Sequence, residues 1–229
     1  MTTAIIVAAG KSERMGEGVD KAFFPLGTSS KPVLAHTLRV MEQCADIDKV
    51  VLVVRKDKML STQELVRIFG CKKVQSIVPG GSARQSSVAA GLAACDEDTT
   101  VVCVHDGVRP CVSADLISET VRTAKIKGSG VAAMKVTDTV KAADKNLVIT
   151  DTVDREKLWT VQTPQTFKIS ILRKAIAKAE TDGVKYTDEA SAAEAAGEQV
   201  QLVPTLRPNI KITYPEDMRT AALLLGIQN

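Results

Sequence analysis

The sequence predicts one Rossmann-like α/β domain: a mostly parallel, twisted sheet with helices on both faces and a protruding β-arm. Short β-branched runs alternate with helical patterns, which is typical of a parallel sheet covered by helices. The strand-like runs are continuously apolar, as expected for strands buried on both faces. The 229 residues suffice for a single domain of this kind, so we expect one domain over residues 1–229.

The alternation is clearest in the first part of the chain. We predict strands at Ala4–Ala8, Lys49–Val54, Lys73–Val78, Thr100–His105 and Gly130–Lys135. The helical patterns between them span Pro32–Gln43, Ser61–Phe69, Ser82–Cys95 and Ala114–Lys127. The third of these helices begins with a capping-box pattern, because Gln85 follows Ser82 by three residues.

The pattern changes after Lys135, where polar and apolar residues alternate over about residues 136–163. A turn pattern at Ala143–Asn146 makes this segment a candidate β-hairpin arm, too polar on both faces to belong to the core. An arm of this kind usually packs on another subunit. Beyond it we predict helices at Ile169–Glu180 and Glu189–Ala196, a last strand near Asn209–Thr213 and a final helix that begins at Pro215.

The composition excludes several classes of protein. Aromatic residues make up only 3% of the chain, fewer than expected for a protein that stacks single-stranded nucleic acid. The 30 basic and 27 acidic residues nearly balance, and the resulting net charge of +3 is too small to indicate binding to nucleic acid or to a membrane surface. The sequence has neither a membrane-spanning apolar run nor a signal peptide, and its five cysteines form no CxxC pair. We therefore expect a cytoplasmic protein with reduced thiols.

The loop after the first strand is the first candidate phosphate site. Ala8, Ala9 and Gly10 are small enough for backbone N–H groups to approach a pyrophosphate closely. The loop is not a P-loop, because Ile5 stands where that motif needs glycine, nor a dinucleotide GxGxxG, because Ser12 replaces its second glycine.

Two basic residues, Arg14 and Lys21, lie within this loop. Fixed cations there suit transfer of a phosphoryl-type group, because negative charge builds up on the attacked phosphorus. The alternative interpretation is a solvated loop with two ordinary surface cations.

Three further positions have residue types suited to a nucleotide site. Asp106 follows the Thr100–His105 strand run and is a candidate ligand for magnesium, although Asp-Gly also forms ordinary turns. Gly80 and Gly81 precede a helix, where backbone amides can read a pyrimidine edge or simply make a tight turn. Lys211 lies between two isoleucines, so its side chain is expected on the opposite side, facing the cleft. For His105 we favour a structural role.

Several motifs carry a resemblance to a known family. Gly10, Arg14, Met15 and Gly16, followed by Lys21, are similar to the signature loop of sugar-phosphate nucleotidyltransferases. Seven further motifs follow in family order: PGGSARQSSVAAGL, VHDGVRP, TDTVK, TVDRE, TPQTF, TDEAS and NIKITYPED. Over nearly its whole length the chain resembles the 2-C-methyl-D-erythritol 4-phosphate cytidylyltransferase family of the non-mevalonate isoprenoid pathway.

The resemblance implies transfer of a cytidylyl group from CTP to 2-C-methyl-D-erythritol 4-phosphate with release of pyrophosphate. It implies that Arg14 and Lys21 are catalytic and that Asp106 helps to hold Mg²⁺ and the reacting phosphates. It assigns contacts with the nucleotide to Ala8, Ala9, Gly10, Gly80, Gly81 and Ser87, and contacts with the acceptor to Arg109, Thr139, Arg155, Thr187 and Lys211. Thr139 and Arg155, on the arm, would complete the site of a partner subunit, which implies a homodimer.

The chain departs from the family pattern in one place, and two other functions stay open. The usual proline–lysine–glutamine stretch reads Asp20-Lys21-Ala22, and Asp20 could form an ion pair with Lys21.

The nearest alternative function is a cytidylyltransferase for ribitol 5-phosphate or a related polyol phosphate. A nucleotide-binding regulatory module without catalysis is a second alternative. A Rossmann dehydrogenase is disfavoured, because the second strand ends in Arg55 rather than an acid.

Overall fold

The computed structural model describes residues 1–15 and 20–228. Nine strands lie in the described residues: β1 Thr2–Ala8, β2 Lys49–Val54, β3 Val74–Pro79, β4 Val101–Asp106, β5 Ser129–Lys135, β6 Val140–Ala143, β7 Ile149–Val153, β8 Trp159–Lys168 and β9 Leu202–Pro204. The α-helices of the same residues are α1 Val33–Gln43, α2 Met59–Ile68, α3 Arg84–Ala93, α4 Ala114–Lys127, α5 Ile169–Asp182, α6 Glu189–Ala195 and α7 Pro215–Leu224.

Seven strands form one sheet in the order β3-β2-β1-β4-β8-β5-β9. Strand β1 pairs in parallel with β2 and β4, and β5 pairs in parallel with β9. Only β8 runs against its neighbours, β4 and β5. The predicted mostly parallel sheet is therefore confirmed, and the carboxyl ends of β1, β2 and β4 meet at one edge.

Apolar side chains cover both faces of this sheet. On β1, Ala4 and Ile6 pack on the face shared with Leu34 of α1, whereas Ile5 packs on the opposite face with Val88 of α3. All five of these side chains are buried, and full burial of a Leu or Ile contributes about 1.5–3 kcal/mol. Two cores thus explain why the strand sequences are apolar without alternation.

The predicted arm extends too far toward the carboxyl terminus. The antiparallel hairpin consists of β6 and β7 alone, whereas Trp159–Lys168 is strand β8 of the main sheet. The prediction failed because the central part of β8 is polar yet buried: Thr163, Gln165 and Thr166 are almost completely inaccessible. Their side chains have hydrogen-bond partners, as buried polar groups require.

Two smaller predictions are also corrected. The Asn209–Thr213 segment forms no strand in the described residues; it is held by a bond from the Ile212 N–H to the Val108 carbonyl. The proposed Ser82–Gln85 capping box is absent, because α3 begins at Arg84 and the Ser86 hydroxyl accepts from the Ala83 N–H instead.

No helix within the described residues is long and apolar enough to span a membrane. All five cysteines lie in the described part of the chain and are free thiols, each buried or half-buried.

Candidate active site

A cleft of about 460 Å³ opens at the carboxyl ends of β1 and β4. Small residues of the first loop form one wall, and the start of α3 forms another. Basic residues from three segments line it: Lys11, Arg14 and Lys21 of the first loop, Arg84 at the start of α3, and Lys211. This is the edge where open α/β sheets bind ligands.

The first loop lines the cleft as predicted. Ala8, Ala9 and Gly10 all contribute to the wall. Ser12 adopts a left-handed backbone conformation with φ 58°, and its hydroxyl accepts a hydrogen bond from the Lys21 N–H at 3.3 Å. This bond ties the two ends of the loop together. Gly16, part of the signature pattern, lies outside the described residues.

Arg14 and Lys21 of the first loop both line the cleft, but their surroundings differ. Burial lowers the pKa of Lys21, and the nearby charges of Lys211 and Arg14 lower it further. The Arg14 guanidinium lies 5.6 Å from the centre of the exposed Tyr214 ring, within range of a cation–π interaction. Cations that repel one another in this way create a site for an anion.

The glycine loop before α3 packs directly against the first loop. A Cβ on Gly80 would come within 2.4 Å of the Ala9 Cβ, so only glycine allows this approach. The Gly81 N–H donates to the Ser87 hydroxyl at 3.2 Å, which in turn donates to the Ala83 carbonyl. Gly81 and Ser87 line the cleft, and Gly80 lies next to them against Ala9.

Asp106 lies at the centre of a group of charged side chains that we call the Asp106 cluster: Arg84, Asp106, Arg109, Glu189 and Lys211. The Asp106 Oδ1 is 3.2 Å from Arg84 Nε, and its Oδ2 is 2.9 Å from Lys211 Nζ and 3.5 Å from Arg109 Nε. Burial alone would raise the pKa of Asp106, but Arg84 and Lys211 outweigh it and hold that pKa well below its usual range. The carboxylate therefore stays ionised.

Arg84 links this carboxylate to a second buried acid. Its Nη1 and Nη2 atoms bind the two oxygens of Glu189 at 2.5 and 3.0 Å. Glu189 is only 2% exposed, and burial raises its pKa. The N-terminus of α6 is fixed in turn by Gln165, whose amide donates to Asp188 and accepts from the Ala190 N–H.

Hydrogen bonds behind the cluster give His105 a structural role. The Thr163 hydroxyl accepts from the Asp106 N–H. Because the Arg109 carbonyl can only accept, the neutral His105 ring has its proton on Nε2, and Nδ1 accepts from the Thr163 hydroxyl. The His105 Nε2–H then donates to the Arg109 carbonyl at 3.2 Å. Burial lowers the pKa of this imidazole to about 4, which keeps it neutral.

Arg109 does not face the cleft in the described residues. Its Nη1 donates to the Asn209 carbonyl at 2.7 Å, and its side chain is 12% exposed. Asn209 is held by a bond from its Nδ2 to the Thr163 carbonyl. Here Arg109 braces Asp106 and the segment before Lys211. Lys211 points into the cleft as expected, although its segment is not a strand.

The remaining acceptor candidates lie away from the cleft of their own chain. Arg155 Nη1 donates to the Thr137 carbonyl at 2.6 Å, on the exposed arm. Thr139 and Thr187 are exposed, and none of the three borders the cleft among the described residues.

Asp20 does not pair with Lys21. Its carboxylate lies 3.7 Å from Arg55 Nη1 and accepts from the Ala22 N–H at 3.3 Å. The predicted ion pair between Asp20 and Lys21 is therefore wrong. Asp20 instead faces Arg55, the residue after β2.

The residues that connect these motifs were not predicted from the sequence. Glu189, Thr163 and Asn209 all lie inside quoted motifs, yet nothing in their spacing shows that Glu189 meets Arg84 across 105 positions. The available signal was residue type alone, an acid in TDEAS and polar residues in TPQTF, and residue type does not reveal a partner.

The described residues contain no group of three or more side chains of the types that hold a metal ion by themselves. Asp106 offers one ionised carboxylate at the cleft, next to the first loop. This donor set fits Mg²⁺ carried on phosphate oxygens, where one carboxylate and water complete the shell.

The parallel sheet, the small-residue loop after β1 and the cations around one cleft define a nucleotidyltransferase. Comparison with known proteins narrows the class. The family model for IspD, 2-C-methyl-D-erythritol 4-phosphate cytidylyltransferase, matches residues 2–226, and the chain belongs to this family.

Relatives and solved structures agree with this assignment. The enzyme of that name from Alkaliphilus metalliredigens is 40% identical over 94% of this chain and 89% of its own length. The one from Desulforamulus reducens is 42% identical over 99% of this chain and 96% of its own. The crystal structure of 4-diphosphocytidyl-2C-methyl-D-erythritol synthase from Anaerococcus prevotii superimposes with a TM-score of 0.86 at 30% identity, covering 98% and 96% of the two chains.

Proposed function

We propose that this chain transfers the cytidylyl group of CTP to 2-C-methyl-D-erythritol 4-phosphate and releases pyrophosphate, a step of the non-mevalonate isoprenoid pathway. The observation that carries the proposal is the convergence of Arg14, Lys21 and Lys211 on one cleft beyond β1, beside the Gly81–Ser87 wall. Family membership supplies the identity of the two substrates.

In this reaction a phosphate oxygen of the acceptor attacks the α-phosphorus of CTP in line, and pyrophosphate leaves. A phosphomonoester is largely ionised at neutral pH, so the attacking oxygen needs no general base. Catalysis then depends on positioning and on stabilising charge in the transition state. The neutral, buried His105 takes no part in proton transfer.

Three groups of residues at the cleft have different roles in this reaction. Lys21 and Arg14 stabilise the pentavalent phosphorus and the leaving pyrophosphate. Gly81 and Ser87 hold the cytosine and ribose against the start of α3. Lys211 provides a cation for the acceptor phosphate, and Arg84 and Arg109 keep the Asp106 carboxylate in place.

Asp106 is the residue that would hold Mg²⁺ together with the nucleotide's phosphates. When bound there, the ion would neutralise charge on the phosphate oxygens.

We further propose that the enzyme is a cytoplasmic homodimer in which the arm completes the partner's site. Two features support this. Arg155 and Thr139 are exposed and remote from their own cleft, and the arm tip exposes Leu147, Val148 and Ile149, with Leu147 87% exposed. An exposed apolar tip is typical of a protein interface.

A pyrophosphate-release assay tests the reaction directly. Each of the four nucleoside triphosphates is offered with 2-C-methyl-D-erythritol 4-phosphate and, separately, with ribitol 5-phosphate. The proposal predicts release only with CTP and the methylerythritol phosphate. Preference for ribitol 5-phosphate would favour the alternative acceptor, and CTP binding without any release would favour a regulatory module.

Subunit complementation tests the shared site. Lys21→Ala and Arg155→Ala proteins are unfolded together and refolded as a mixture, and turnover is measured with the acceptor well below its wild-type KM, where each variant alone has about a tenth of wild-type activity or less. If the arm serves the partner, mixed dimers contain one intact site and activity returns, toward about a quarter of the wild-type value. A mixture no more active than its two components would refute the shared site.

A further inference from the structure

The turn that carries Lys21 is fixed by side-chain and backbone bonds. The Asp20 carbonyl accepts from the Phe23 N–H at 3.0 Å, and the Asp20 Oδ1 accepts from the Ala22 N–H at 3.3 Å. Ala22 is 2% exposed, and its carbonyl accepts from the Leu34 N–H of α1. The backbone on both sides of Lys21 is therefore anchored, and the Asp20 carboxylate is one of the anchors.

Arg55, just after β2, is oriented toward this carboxylate. Its Nε and Nη2 atoms bind the two oxygens of Asp57 at 3.0 and 2.5 Å. This bidentate contact leaves Nη1 3.7 Å from the Asp20 Oδ2. The side chain of Asp57 is 62% exposed, whereas that of Asp20 is only 9% exposed. The exposed Asp57 thus orients the Arg55 guanidinium toward the buried carboxylate of Asp20.

A carboxylate at this place is unfavourable without compensation. Asp20 contributes to the wall of the cleft that receives a triphosphate in the proposed function. Burial raises the pKa of Asp20, and Arg55 is the strongest opposing influence, followed by the Ala22 N–H and Lys58, while Asp57 adds to the rise. A buried charge is tolerated where an opposite charge faces it.

Asp20 also stands where the family resemblance described above implies proline before the lysine. Proline restricts the backbone through its ring, and aspartate can restrict a turn by bonding to a backbone N–H two residues on. The Asp20–Ala22 bond is of this kind. The side chain thus offers a local restraint in place of the ring, at the cost of an added negative charge.

We infer that Asp20 and Arg55 form a positioning pair for Lys21: Asp20 fixes the turn that aims the ammonium group, and Arg55 offsets the charge of Asp20 toward incoming phosphates. The inference rests on the proposed function of Lys21. It assigns to Arg55 a role in nucleotide affinity although Arg55 lies outside the cleft wall.

Four variants of the full chain separate the two roles, with CTP binding measured by calorimetry and turnover by pyrophosphate release. Arg55→Met removes the strongest influence that offsets the charge of Asp20 and is expected to weaken CTP binding about fivefold to tenfold. The double variant Asp20→Asn/Arg55→Met removes both charges and restores binding to within about twofold of wild type. Asp20→Ala lowers kcat about tenfold through loss of the Ala22 bond, and Asp20→Asn, which keeps an acceptor there, recovers most of that loss.

Lys56→Met, an exposed neighbour of Arg55, serves as the matched control and is expected to bind CTP like wild type. Unchanged binding in Arg55→Met, or a double variant no better than Arg55→Met, would overturn the pairing. Wild-type protein that binds CTP but releases no pyrophosphate would refute the proposed function alone, because the binding series still tests the pair. Absence of CTP binding by wild type would overturn both.

Discussion

The Asp106 cluster and the β-arm hold charged side chains in opposite ways. Asp106 is 5% exposed and meets three cations, two of which are braced from behind by Glu189 and the Asn209 carbonyl. Arg155, on the arm, is exposed and contacts the Thr137 carbonyl. The first arrangement pairs buried charges with one another, whereas in the second an exposed guanidinium contacts a backbone carbonyl.

This contrast indicates which charged residues affect both the stability and the activity of the protein. Removing a member of a buried ion cluster leaves uncompensated charge inside the protein, and such losses are costly. Exposed ion pairs and hydrogen bonds contribute little to stability. Variants in the cluster should therefore alter folding as well as activity, and variants in the arm should alter activity alone.

The largest expected effect follows removal of the central carboxylate. Asp106→Ala leaves Arg84, Arg109 and Lys211 facing one another without their shared partner, and should lower the free energy of unfolding by about 3–5 kcal/mol. Urea denaturation measures this change. Asp138→Ala, at an exposed position beside the arm, is the control and should change it by less than about 0.5 kcal/mol. Equal losses in the two variants would break the contrast.

The second effect is a dependence of the free energy of unfolding on pH, caused by His105, which is buried next to the Asp106 cluster. Burial lowers the pKa of His105 from 6.5 to about 4, so the unfolded chain binds the proton more tightly. Its contribution is fully present above the unfolded pKa and is lost as pH falls toward the folded pKa, about 3 kcal/mol in all.

Denaturation of wild type and His105→Gln at pH 7 and at pH 4 isolates this contribution. The variant should lose less stability on acidification than wild type, by roughly the amount above. His36, whose pKa is also lowered by burial, is present in both proteins and cancels in the comparison. Identical pH profiles would contradict a neutral His105 held between Thr163 and Arg109.

The smallest effect on stability is expected in the arm. Arg155→Ala should change the free energy of unfolding of the subunit by less than about 0.5 kcal/mol, because its side chain is exposed. The KM for the acceptor should nevertheless rise about tenfold or more through loss of a charged contact with its phosphate. Large destabilisation with unchanged KM would give the arm a structural role instead.

The same contrast separates what sequence could predict from what it could not. Five strands and the place of the first loop at the cleft were predictable, because apolar runs of strand length and small residues after β1 are local signals. Strand β8 was not, since its polar residues are buried through partners such as Asp188 and Thr120 that lie far along the chain.

The candidate site shows the same division. Arg14, Lys21, Asp106 and Lys211 were identified from motif and residue type, and the structure brings them to one cleft. The link from Glu189 through Arg84 to Asp106 depends on three segments meeting in space, and charge pairing of that kind has no signature in a single sequence. The contact between Asp20 and Arg55 escaped prediction for the same reason.

The most direct test of the account is turnover by Lys21→Ala, with Lys72→Ala as an exposed-lysine control. If Lys21 stabilises the charge on the transferring phosphorus, kcat should fall about a hundredfold or more, while CTP affinity falls by a smaller factor and the protein stays folded. A folded Lys21→Ala protein with kcat within about twofold of the control would contradict the account.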